Sequence, residues 1–226
     1  MAIKIKRSES VDELENDGVN SELPEAEQAE YVRNVSVFKT MSTQKKMRLL
    51  SEAALSESLE WHLESGVAYH VISCGDVDSL TYLRHVVKDQ HVRYCFVSTW
   101  CMALEDAKEM GKWIDAGSVD RFDYYVGEIF KGGYRGCRDA LDETCAKCNG
   151  RVARFRNHSK VMVVFGDEYD CVIESSANVD TNPRTEQTCI TVDSGLANFY
   201  KDYFDGIKSF DPGYERWEPW DAQSSQ

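Results

Sequence analysis

An imidazole and an ammonium stand two residues apart in His158-Ser-Lys160, at the head of an apolar run, Val161-Met-Val-Val-Phe165. After a polar turn, Gly166-Asp-Glu-Tyr-Asp170, a second apolar stretch runs into Glu174-Ser-Ser-Ala-Asn178. Residues two apart on a strand face the same way, which pairs His158 with Lys160 and Ser176 with Asn178. A hairpin symmetric about Glu168 sets Phe165 opposite Cys171, Lys160 opposite Ser176 and His158 opposite Asn178. Directly opposed residues hold their Cβ atoms roughly 5 Å apart, so the four polar groups would meet at one end of an apolar ribbon. The expectation depends on register, because a slip of one residue disperses the set.

Such groups suit phosphate chemistry. Histidine attacks phosphorus and departs through a phospho-imidazole. Lysine and asparagine hold the non-bridging oxygens as charge concentrates there. No metal and no other cofactor is called for, because the cation is built in. The plainer alternative leaves His158 and Lys160 facing solvent at a strand start, with 175–178 as a polar turn. Two spaced pairs on neighbouring strands favour the chemical reading.

The elements that must position these groups follow from periodicity. Met47, Leu50, Ala54, Leu55, Leu59 and Leu63 keep helical spacing, with Ser42 or Thr43 as N-cap and Gly66 as stop. Strands are expected at 68–73, 92–98, 121–126, 151–155, 160–165 and 171–175, and helices at 78–87, 104–116, 134–148 and 196–210. Strands alternating with helices imply an α/β domain whose first strands are parallel. The last two strands are too close for a crossover and must pair antiparallel. The fold class is therefore α/β, a mixed sheet covered by helices.

The formal charge of −13 argues at first against phosphate partners. Its distribution is uneven. Residues 1–30 carry a net −6, and residues 131–160 carry a net +5. Arg151, Arg154 and Arg156 alternate into the hairpin and, with Arg184, are candidates to line a nucleic-acid backbone. A solvated strand edge is the plainer alternative. The opening stretch has few large apolar residues and reads as a solvated, disordered tail. No apolar run approaches the ~20 residues of a bilayer span, and the basic start leads into acidic residues rather than a secretory signal. A cytoplasmic home with eight reduced cysteines is expected.

Other signals are weaker. Cys145-x-x-Cys148, with Cys137 nearby, is half a zinc site at most, since structural zinc wants two such knuckles. Asn178, Asp180 and Asn182 imitate a calcium loop, but Pro183 fills its glycine slot and Cys189 its twelfth position. Gly132-Gly133 reads as a turn. Walker, dinucleotide and nucleophile-elbow motifs are missing.

The pair His158-Ser-Lys160 and Ser175-Ser-Ala-Asn178 resembles the signature of the phospholipase D superfamily: His-x-Lys, an Asp a few residues on, then Gly-Ser-x-Asn. The flanks Gly150-Arg-Val-Ala-Arg-Phe-Arg-Asn157 and Val179-Asp-Thr-Asn-Pro-Arg-Thr-Glu-Gln187 are similar to a subgroup found in phages and mobile elements. There are departures. Phe165 stands where the family carries its Asp, Ser175 replaces Gly, and the gap between the half-motifs is longer.

The resemblance covers about two thirds of the chain and implies that family's fold over 67–212. Residues 1–40 would be the acidic tail, 41–66 an N-terminal helix and 213–226 an aromatic C-terminal tail folding back on the domain. It further implies His158 as nucleophile, Lys160 and Asn178 as phosphate ligands, and Ser176 as hydrogen-bonding support. Glu186 would correspond to the acid that orients an active-site histidine. The family mechanism needs a second histidine to protonate the leaving oxygen. None of His62, His70, His85 and His91 heads a second motif. One motif per chain therefore implies a two-fold homodimer with the site astride the interface. Single-motif members are mostly nucleases, so the implied substrate is DNA, or RNA. The alternatives are an eroded DNA- or protein-binding module and, third, a phospholipid hydrolase, for which no interfacial apolar helix stands out.

Overall fold

The computed structural model describes residues 63–73, 77–132, 134–180, 184–213 and 216–221. The acidic tail and most of the helix expected over 41–66 lie outside these residues. Residues 63–66 lead into the first strand, with Gly66, the expected stop, at φ 79° and its N–H donated to the Val192 carbonyl at 2.8 Å.

Seven strands among the described residues form one mixed sheet. They are β1 (Ala68–Ser73), β2 (Val92–Thr99), β3 (Phe122–Val126), β4 (Val152–Arg154), β5 (Val161–Gly166), β6 (Asp170–Ser175) and β7 (Glu186–Thr191), in the order β1-β7-β6-β5-β2-β3-β4. β2, β3 and β4 run parallel, and every other pairing is antiparallel. Helices α1 (Ser79–Asp89), α2 (Leu104–Asp115), α3 (Arg135–Cys148) and α4 (Ser194–Asp205) flank the sheet. This is the expected α/β class.

Side-chain alternation divides the sheet between two cores. On β2, Cys95 and Val97 join a cluster with Leu83 of α1, Met110 of α2 and Leu141 of α3. Tyr94 and Phe96 point the other way, toward Ala197 and Phe204 of α4. β2, β3 and β5 are thus covered on both faces, which is why they read as unbroken apolar runs. Asp78 caps α1 by accepting from Thr81 N at 2.9 Å, and Asp193 caps α4 by accepting from Leu196 N at 2.7 Å. α3 ends on Asn149 at φ 54°, and a Cβ at Gly150 would lie 1.9 Å from the Phe122 carbonyl oxygen. Only glycine lets α3 close onto β3 there.

Three expectations need correction. β7 was not anticipated, because its buried side is only Thr188 and Ile190 set among polar residues. β1 does not neighbour β2; it pairs antiparallel with β7 at the far edge. α4 stops at Asp205 rather than running to 210, because Gly206 ends it and the chain turns to the edge of β4. There Phe210 N donates to the Arg154 carbonyl at 2.7 Å, and Ser209 Oγ accepts from Arg154 N at 3.0 Å. An edge that would otherwise invite strand pairing is covered in this way. Beyond it, Trp220 stacks on Tyr94, with centroids 4.8 Å apart, and packs on Phe165 at 5.1 Å. No helix among the described residues is long and apolar enough to cross a membrane.

Candidate active site

β2 and β3 end, β5 and β7 begin, and β6 ends at one rim of the sheet. The loop 155–160 that enters β5 carries His158 and Lys160 to this rim. Its anchor is Asn157, which is buried. The Asn157 amide nitrogen donates to the Tyr125 carbonyl at 2.8 Å and to Ser98 Oγ at 3.0 Å. Its oxygen accepts from Ser159 N at 2.9 Å and Ser159 Oγ at 2.7 Å. The loop is thereby tied to the ends of β2 and β3. A Cβ on Gly127 would lie 2.8 Å from Trp100 Cδ1 and 3.3 Å from the Asn157 carbonyl oxygen, so the close passage of these segments requires glycine.

His158 is exposed and its ring lies 5.5 Å from that of Trp100. Lys160 Nζ is 3.1 Å from His158 Nδ1 and donates to the His158 carbonyl at 2.7 Å. An ammonium can only donate, so Nδ1 is the acceptor and the ring proton sits on Nε2. Burial draws the Lys160 pKa below its usual value, against the opposing pull of Cys101 and Glu186. Glu186 in turn accepts a short hydrogen bond from Ser176 Oγ, which itself accepts from Gln187 N at 3.0 Å.

The hairpin register differs from the symmetric one by a residue. Phe165 faces Asp170, Val164 faces Cys171 and Val161 faces Glu174. Ser175, not Ser176, therefore lies across from Lys160, with Ser175 N donating to the Lys160 carbonyl at 3.0 Å. This register is braced at the far end. Gln90 reaches into the turn, accepting from Glu168 N at 2.9 Å and Tyr169 N at 3.1 Å and donating to the Tyr169 carbonyl at 2.9 Å. Gly166 yields it room, since a Cβ there would lie 2.1 Å from Gln90 Oε1. This clasp closes the turn one residue tighter than the symmetric register requires.

His158, Lys160, Ser176 and Glu186 thus share the rim, but Asn178 is not set across from His158. After β6 the chain passes the end of β2: Val179 N donates to Thr99 Oγ1 at 3.3 Å, and Ala103 N donates to the Val179 carbonyl at 2.9 Å. The Asn178 side-chain oxygen is buried without a hydrogen bond among the described residues. Asp180 lies close enough to raise the Cys101 pKa, behind the larger effect of burial, while Lys160 opposes it. Trp100, Cys101 and Asn157 were not singled out from sequence. The available signal was position: residues just after the carboxyl end of a parallel strand line the site in open α/β sheets.

Of the four arginines considered for a phosphate track, two are turned inward. Arg151, 8% exposed, donates to the Phe204 carbonyl and to Tyr125 Oη, both at 2.9 Å, and lies 3.6 Å from the Trp217 ring centroid. Arg154, 9% exposed, pairs with Asp211 at 2.9 Å. Their guanidinium groups brace the C-terminal segment and do not reach a backbone track. Arg156 and Arg184 are exposed. Cys137, Cys145 and Cys148 are buried on α3, and Cys137 and Cys148 bond to the carbonyls of Met102 and Thr144 at 3.3 Å. Burial pushes all three thiols up. No group of three or more His, Cys, Asp or Glu among the described residues is arranged to hold a metal.

The position where the family signature carries Asp is Phe165. It lies 4% exposed at the opposite end of β5 from His158, packed against both Tyr94 and Trp220, which stack on each other. This departure belongs to the packing of the second core and leaves the rim untouched.

No family model matches the chain, and no curated protein does. Among solved structures it is similar to polyphosphate kinase from Porphyromonas gingivalis, with TM-score 0.48 and 10% identity over 65% of this chain and 27% of that one. It is also similar to TrmBL2, an archaeal chromatin protein described as showing a novel mode of DNA binding, with TM-score 0.47, 11% identity, and 86% and 67% of the two chains covered. A third is phosphatidylserine synthase from Haemophilus influenzae, with TM-score 0.48, 12% identity, and 85% and 55% covered.

Proposed function

We propose that this chain is a metal-independent phosphodiesterase of the phospholipase D type, a cytoplasmic nuclease that cleaves DNA through a phosphohistidine as a two-fold homodimer. The observation that carries this reading is the His158–Lys160 pair, an exposed imidazole held 3.1 Å from a partly desolvated ammonium. Ser176 and Glu186 stand on the same rim, and the sequence signature supplies the family.

In the resting pair Lys160 occupies Nδ1. A phosphodiester offers its non-bridging oxygens to the ammonium and draws it off the ring. The ring proton then moves to Nδ1, and the Nε2 lone pair is free to face phosphorus. Attack forms the P–N bond as the bond to the leaving oxygen breaks, and that oxygen takes a proton from His158 of a second copy. Water then attacks phosphorus, the P–N bond breaks, and the water proton returns to the second histidine.

One observation favours a second reading, a binding module with an eroded site: the Asn178 side-chain oxygen is buried without a hydrogen bond among the described residues. One experiment separates the two. Purified protein is incubated with plasmid and single-stranded DNA in EDTA, beside His158→Ala and Lys160→Ala. The expected result is cleavage by the native chain alone, with both variants folded and reduced on the order of 10³-fold or more. Cleavage lost to EDTA but kept by His158→Ala overturns the proposal. Salt-sensitive binding without turnover selects the module.

A further inference from the structure

His158 forms part of a second feature that the reaction does not use. Between the loop 155–161 and α4 lies a cleft of about 430 Å³, and His158 stands on its wall. Phe199 and Tyr203, one helical turn apart on α4, line it while remaining 65% and 63% exposed. Phe155 and Tyr200 line it more deeply, and Arg156 is exposed beside His158. No Asp or Glu lines the cleft, although the chain carries a net charge of −13 and α4 itself bears Asp202 and Asp205.

We propose that this cleft is a stacking subsite for an unpaired nucleobase, which makes single-stranded nucleic acid the preferred substrate of the site. The inference rests on the nuclease reading and names its substrate class. Large aromatic rings left in water mark a binding surface, and these two flank a concavity of ligand size. Every nucleobase has a π-face that an exposed Phe or Tyr can cover, whatever the sequence. The charge balance suits the same occupant. An arginine and an imidazole accompany the rings, and carboxylates, which would repel a phosphate, are kept off the lining. A base inside a duplex is already stacked on its neighbours and must be unpaired and extruded to enter, at a cost a single strand does not meet. Because His158 lines the same cleft, the phosphate beside the stacked base is the one presented to Nε2.

The test uses the full chain carrying His158→Ala, so that binding is read without cleavage. Fluorescence anisotropy is followed with a mixed-sequence oligodeoxynucleotide, the same strand carrying abasic sites, and the corresponding duplex. The intact single strand is expected to bind tightest. Phe199→Leu or Tyr203→Leu is expected to weaken it by roughly 5- to 100-fold while leaving abasic binding unchanged. Equal binding of intact and abasic strands, or no effect of either substitution, overturns the subsite even if the native chain cleaves DNA. Base-dependent binding lost on substitution upholds the subsite even if no turnover is found, and then only the nuclease reading falls. Sedimentation decides the remaining case: a change of oligomeric state in Phe199→Leu identifies the cleft as an interface between copies and overturns the proposal.

Discussion

The two ends of the β5–β6 hairpin are built on opposite terms. At the turn end the backbone and the large side chains are engaged: Gln90 satisfies the backbone of Glu168 and Tyr169, and Phe165 packs against the stacked pair Tyr94 and Trp220. At the open end the imidazole of His158 faces solvent, burial disfavours the Lys160 charge, and the Asn178 side-chain oxygen is buried without a hydrogen bond among the described residues. The saturated end holds the register, and the unsaturated end retains groups that a phosphate could satisfy. Under the proposed function, a site that binds anions gains from a poorly solvated cation, with rigidity supplied from the end away from the chemistry.

The contrast can be broken most severely at the turn end. Phe165→Asp introduces the acid of the resembled signature but buries a carboxylate against aromatic rings. Thermal or urea unfolding is expected to show a loss on the order of 4 kcal/mol, with no gain in cleavage rate. A faster enzyme would show that the acid matters to the chemistry after all. Asn157→Ala strikes the anchor that ties the loop of the open end to β2 and β3. It leaves Ser98 Oγ and the Tyr125 carbonyl short of a donor. We expect a stability loss of about 2–3 kcal/mol and, in protein still folded, a fall in kcat of roughly 100-fold with KM little changed. A purely structural residue would leave kcat of the folded fraction intact.

Gln90→Ala is milder. It removes the clasp from a solvent-edged turn, for an expected cost of about 1–2 kcal/mol in urea unfolding and unchanged cleavage by the folded protein. A large rate loss would mean that the register depends on Gln90 alone. The smallest effect is in the pH profile. Lys160 binds its proton less tightly in the fold than in the unfolded chain, so this group makes stability rise with pH through the depressed range. Cleavage should fall over that same range as the cation is lost, giving an alkaline limb below that of an ordinary lysine. A profile flat up to the usual lysine value would remove Lys160 from the charge-bearing role.

Much of this could be read from the chain. The periods of Leu80, Leu83 and Val86 and of Val161–Phe165 reveal a helix and a doubly buried strand because burial on one or two faces is written into residue type. β7 was less legible because Thr188 and Ile190 are too few to make a pattern among Glu186, Gln187 and Cys189. Arg151 and Arg154 misled for a different reason. Their alternation imitates an exposed strand face, while their partners, Trp217 and Asp211, lie more than fifty residues further on. The cations are buried by contacts that local sequence does not contain.

His158 and Lys160 come together through local geometry alone: two residues apart at a strand start, their side chains meet wherever the strand is placed. The sequence by itself determined that pair, the apolar hairpin behind it and the α/β class. Which residue faces which across the hairpin was decided elsewhere. Gln90 follows α1 and reaches the turn only after β2 has been laid beside β5, so its hydrogen bonds carry long-range information. The same holds for Asn157, which binds β2 and β3, and for the cleft, whose second wall arrives with α4. Register and enclosure are properties of contacts between distant segments, and only the folded sheet brings those segments together.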